Sequence, residues 1–139
     1  MDNIWIEKKW QEDSLIELKI SANSEFVTAY QDCYIQDCAL DEISKKIGMY
    51  IVEKGESPCY LEFGHKEGNY TPAFSMNIFP KDSSGHVKIE VDMEINDNDL
   101  RAHRCCFYVN SELGLIEAFG SSLRRLITGE VGEEVALLK

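Results

Sequence analysis

The chain has 139 residues, 25 of them acidic against 14 basic, and a formal charge of −11 at pH 7. That length suits one compact domain able to bury enough apolar surface to need no metal or disulfide staple, and 44% hydrophobic with 28% charged residues argues against disorder. The basic residues are scattered as Lys8/Lys9, Lys45/Lys46 and Arg124/Arg125 and offer a phosphate backbone no electropositive stripe, so nucleic-acid binding is disfavoured.

No apolar run reaches the roughly 18 residues of a membrane span, and positions 1–10 carry charge where a secretory leader would be apolar. A cytoplasmic protein with no membrane partner is expected. Five cysteines, an odd number, fit reduced buried thiols there better than a disulfide framework.

In chain order, Ile4 and Ile6 alternate with Trp5, and Ile16, Leu18 and Ile20 alternate with Glu17 and Lys19. Two half-buried strands joined through the turn Gln11, Glu12, Asp13 are predicted. A third strand is expected over 25–35, where Phe26, Val27, Thr28, Tyr30, Tyr34 and Ile35 are strand formers with no clear facing pattern. The period then changes, because Leu40, Ile43, Ile47, Tyr50 and Ile51 recur at helical spacing with Asp41 and Glu42 in the first turn. A helix capped by Asp37 and ended near Gly55 follows.

Strand patterns return at 59–63, 72–79 and 87–95, the last alternating Val87, Ile89, Val91, Met93 and Ile95 with Lys88, Glu90, Asp92 and Glu94. Asp82, Ser83, Ser84 and Gly85 supply a hairpin turn before it. A polar loop leads to a strand at 103–109, with Cys105, Phe107 and Val109 on one face. Leu113, Ile116, Phe119, Gly120, Leu123, Leu126 and Ile127 then form the stripe of a second helix, with Gly129 beyond it. The order βββαββββα predicts an α+β fold: a largely antiparallel sheet of six or seven strands with both amphipathic helices on one face. The domain is expected to span 1–129, with 130–139 as a mobile tail.

Tested for chemistry, the chain gives no catalytic motif. His65-Lys66-Glu67 has the H-x-E of zinc deaminases but lacks the downstream P-C-x-x-C that completes the metal shell. Asp92, Glu94 and Asn96 begin like a calcium loop, yet Asp97 stands where glycine must turn and His103 where a bidentate glutamate belongs. The 64–68 segment lacks the ending of a phosphate loop. Cys33 and Cys38 with His103, Cys105 or Cys106 have no standard zinc spacing and read better as core thiols, so no metal or cofactor is predicted. Cys106, of opposite parity to Cys105, is expected to be the most reactive thiol.

The remaining candidate is a surface. If Val87, Ile89, Val91 and Met93 face the core, Glu90, Asp92 and Glu94 face away, and Asp97 and Asp99 extend the negative charge into the adjoining loop. By the same alternation Trp5, Tyr60 and Tyr108 are expected to point outward beside these carboxylates, the residue types that anchor and steer protein contacts. A non-enzymatic binding module for a basic protein is therefore expected. The bland reading is a solvated strand face. The alternative function is an enzyme or small-ligand protein with a pocket between helices and sheet, using Cys106 with His103 or His86.

Three motifs taken together, Y-Q-D-C-Y at 30–34, G-H-V-K-I-E-V at 85–91 and Y-V-N-S-E-L-G at 108–114, resemble a family of small uncharacterised bacterial proteins across most of the chain. The resemblance implies a bacterial cytoplasmic protein and brings no activity or catalytic residues with it. Size, acidity and the lack of a catalytic motif add an analogy to the immunity proteins that neutralise bacterial toxins.

Overall fold

The computed structural model describes residues 2–64, 73–95, 100 and 102–138. Three strands come first: β1 (Asn3–Glu12), β2 (Leu15–Asn23) and β3 (Thr28–Gln36). They are joined by antiparallel pairing and followed by helix α1 (Asp37–Val52). Strands β4 (Cys59–Phe63), β5 (Ala73–Pro80), β6 (His86–Ile95) and β7 (His103–Glu112) make a second antiparallel run. Helices α2 (Leu113–Ser122) and α3 (Arg125–Thr128) and strand β8 (Glu134–Ala136) complete the order.

The α+β class and the antiparallel pairing agree with the sequence. The single sheet of six or seven strands does not: there are two sheets of four, ordered β3-β2-β1-β8 and β4-β5-β6-β7. Alternation shows that each strand has a core face but does not say which strands share a sheet. The break falls at α1, whose 16 residues run roughly 24 Å and carry the chain from β3 to the second sheet. The apolar faces of both sheets then meet in one core, in which Ile6, Leu18, Phe63, Phe74, Met76 and Ile89 are fully buried.

The helices also differ from expectation, since they do not lie on one face of one sheet. Helix α1 touches the edge strands β3 and β4, while α2 touches β7 and β8, so the pair spans both sheets. They approach closely at Gly120, where a Cβ would sit 2.4 Å from Ile47 Cγ2, and the Ser44 hydroxyl donates to the Gly120 carbonyl at 2.8 Å. Asp37 is the first helical residue rather than the cap, and its N–H is bonded to the Ser14 carbonyl. The second helical stripe divides at 123–124 into α2 and the short α3.

Residues 130–138, expected as a tail with no partner pattern, instead bring β8 alongside β1, pairing Trp5 with Ala136, Ile6 with Val135 and Glu7 with Glu134. Val135 and Leu137 enter the core. Backbone bonds hold the segment, from the Lys8 and Leu137 N–H groups to the Glu133 and Ile4 carbonyls and from the Gly132 N–H to the Lys8 carbonyl, and a lysine side chain fixes the turn that precedes it. Lys8 lies inward by the alternation of β1, is only 2% exposed, and donates from Nζ to the carbonyls of Gly129 at 2.8 Å and Ile127 at 3.2 Å. These carbonyls lie at the end of α3, the negative pole of a helix, where a cation is favoured. No helix among the described residues is long and apolar enough to cross a membrane.

Candidate functional site

Strand β6 sends Val87, Ile89, Val91 and Met93 into the core and Lys88, Glu90, Asp92 and Glu94 to the outer face of the second sheet, as its alternation predicts. Register then fixes their neighbours. Tyr60, Asn77, Glu90 and Tyr108 form one row across the four strands, and Glu62, Ser75, Asp92 and Cys106 form the next. Glu94 lies opposite Arg104, and Lys88 opposite Asn110.

Two of the three carboxylates of this ridge, Asp92 and Glu90, are hydrogen-bonded within the sheet, and Glu94 adds its charge beside Arg104. Asp92 is only 7% exposed and accepts a fork from Arg104, with Nε at 3.0 and 3.1 Å and Nη2 at 2.5 Å. Such bidentate, charge-assisted pairing is the strongest form of side-chain hydrogen bond. It holds the guanidinium proton more tightly than usual, through the hydrogen bond and charge of Asp92 first and the charge of Glu94 after it. Glu90 accepts from the Tyr108 hydroxyl at 3.2 Å, which raises that phenol above its ordinary value. The Tyr60 hydroxyl donates to Glu62 at 2.6 Å and is pushed up to about 12, by burial first and by this carboxylate second. Lys88 Nζ sits 4.8 Å from the Tyr108 ring centre and 5.9 Å from that of Phe79. Asp97 and Asp99, expected to prolong the ridge, lie outside the described residues, as do His65, Lys66 and Glu67.

Trp5 does point outward, but on the other sheet. It belongs to the outer face of β3-β2-β1-β8, so the predicted residues do not form one patch: Tyr60 and Tyr108 are on one sheet and Trp5 on its partner. The first sheet carries its own set. Tyr30, Ser21, Trp5 and Ala136 make one row, Asp32, Lys19, Glu7 and Glu134 the second, and Tyr34, Glu17 and Trp10 the third. A bulge between Lys8 and Trp10 resets the parity of β1 and keeps Trp10 on this outer face. Trp10 meets Tyr34 edge-on with ring centres 6.3 Å apart, and Lys19 Nζ sits 4.7 Å from the Tyr30 ring centre. Tyr30 is 67% exposed, and Tyr34 and Trp10 are also exposed.

Sequence reasoning missed Trp10, Tyr30, Tyr34, Glu7, Glu17 and Asp32 as a group. The signal was present in β3, where Gln31, Cys33 and Ile35 are buried and Tyr30, Asp32 and Tyr34 are exposed. The facing is hard to read from sequence because apolar and aromatic residues fall on both parities of this strand, and the large aromatics take the outer face.

Cys106, His103 and His86 are not brought together. Cys106 is exposed on the outer face of β7, whereas His103 has the opposite parity. His86 pairs with Glu112 and Cys106 with Asp92, six strand positions apart, or roughly 20 Å. His86 Nδ1 instead lies 2.8 Å from Asp82 Oδ2 in the turn, which also edges a groove of about 520 Å³ with Lys54, Pro80 and Leu113. Among the described residues no three His, Cys, Asp or Glu side chains converge as a metal site would require.

No family model and no curated protein matches the chain. Among solved structures it is similar to the plant transcriptional regulator PBF-2, with a TM-score of 0.49 and 8% identity over 93% of this chain and 79% of that one. A likeness at that score assigns neither family nor function.

Proposed function

We propose that the chain is a non-enzymatic protein-binding module that offers an acidic, aromatic sheet face to a partner with a basic surface. The observation that supports this reading is that both helices bury their apolar stripes in the shared core. The outer sheet faces then display Tyr30, Tyr34, Tyr60 and Tyr108 among carboxylates, in a chain of charge −11. Exposed tyrosine and tryptophan anchor protein contacts, and surrounding charge of one sign steers an oppositely charged partner. The same charge repels nucleic acid. A cytoplasmic role like that of the immunity proteins, which neutralise a toxin by binding it, fits the size, the acidity and the free thiols.

The test is calorimetric titration with a lysine- and arginine-rich peptide at low and high salt, against a neutral peptide of the same length. Binding of the basic peptide alone, weakened by salt, is the expected outcome. No binding at low salt, or equal binding of the neutral peptide, overturns the reading.

A further inference from the structure

The three rows just described on the outer face of the first sheet hold four carboxylates and one cation, Glu7, Glu17, Asp32 and Glu134 against Lys19, or 1 − 4 = −3. Glu7 and Glu134 stand directly opposite each other across β1 and β8, an arrangement of like charges that costs a sheet stability. Among the described residues, none of these four carboxylates is within ion-pair distance of a cation. Lys19 lies between Glu7 and Asp32 in register, yet its ammonium rests on the ring of Tyr30. The face therefore already shows how it holds a cation: on an aromatic ring, flanked by carboxylates.

We propose that this face, with Trp5, Trp10, Tyr30 and Tyr34 as its aromatic floor, docks a basic segment of a partner protein. The partner's lysine and arginine side chains lie over Tyr34 and Trp10 and between Glu7, Glu17, Asp32 and Glu134. Charge complementarity selects the occupant, because incoming cations relieve the Glu7–Glu134 repulsion and find carboxylates that, among the described residues, have no cation of their own. On the second sheet two of the three ridge carboxylates are already engaged, Asp92 by the Arg104 guanidinium and Glu90 by the Tyr108 hydroxyl, and Glu94 lies opposite that same Arg104. This inference rests on the binding-module reading and assigns it a face.

The chain has two tryptophans, Trp5 and Trp10, and both lie on this face, so tryptophan emission reports on it alone. The probe is a peptide with lysine or arginine at every second position, which in extended form puts its cations on one side. Titration is expected to change the emission in step with the calorimetric signal. Glu7→Lys with Asp32→Lys is expected to weaken binding by roughly tenfold or more, and Glu90→Lys by less than about twofold. Tyr34→Ala, which changes no charge, is also expected to weaken it. Unchanged circular dichroism and Tm show that the variants are folded. Calorimetric binding with silent tryptophans, lost in Glu90→Lys and kept in the Glu7/Asp32 variant, overturns the assignment of the face while leaving the module reading standing. Absence of any binding removes both.

Discussion

On the second sheet Asp92 faces the β7 strand and is seized by Arg104, whereas on the first sheet Asp32 faces Lys19 in register and Lys19 turns to Tyr30 instead. The two outer faces are made of the same side-chain types, tyrosines among carboxylates with few cations. What separates them is the reach and geometry of the cation. A guanidinium fork can satisfy both oxygens of one carboxylate, while a lysine ammonium is a point charge that a neighbouring ring can capture. One face thus spends its charges internally and the other keeps them outward.

The largest expected effect breaks the frame that both faces share. Gly120→Val would drive a side chain into Ile47 at the α1–α2 contact, and overpacking of this kind costs about 1–3 kcal/mol. Thermal unfolding should show the loss as a Tm lower by roughly 3–10 °C. An unchanged Tm would mean that the helices do not meet at Gly120.

Next comes a paired substitution that contrasts the faces themselves. Arg104→Met leaves the buried Asp92 carboxylate without its fork and is expected to lower Tm clearly. Lys19→Met on the first sheet removes a cation that pairs with no carboxylate, and is expected to change stability by less than about 0.5 kcal/mol. Equal losses would erase the distinction. The smallest effect is spectroscopic: absorbance titration should find Tyr60 ionising near 12, and Glu62→Gln should bring it down by removing the carboxylate that holds its proton. The remaining elevation reports burial first, with the charge of Asp92 adding to it and the Ser75 hydrogen bond opposing it.

Much of the fold could be read from alternation and helical period. The facing of β6 and the extent of β4 agree closely, because in each the apolar positions are clean, and α1 starts one residue earlier than a cap at Asp37 implies. The division into two sheets was not legible, since strand alternation carries no information about which edges pair. Nor was β8, three residues long and paired over a great sequence distance. For the surface, the facing of Glu90, Asp92, Glu94, Tyr60 and Tyr108 could be read, but their bonding could not. Whether Asp92 is free depends on Arg104 lying opposite Glu94, a matter of register between two strands. Trp5 was correctly turned outward and placed with the wrong companions for the same reason.

The lysine that ties the turn before β8 to β1 also bears on the order in which the molecule assembles. Lys8 and Gly129 are 121 positions apart, and bringing such distant segments together must be paid in loop entropy before any contact rewards it. The hairpins β1–β2 and β2–β3 close locally, so three strands of the first sheet can form early while the fourth waits for the helices to dock. By the same logic β8 is the first strand to let go, which leaves the edge of β1 briefly open. Amide exchange should therefore run fastest at Glu134–Ala136 among the strands, and the protein's resistance to edge-to-edge association depends on how firmly these three residues stay paired on β1.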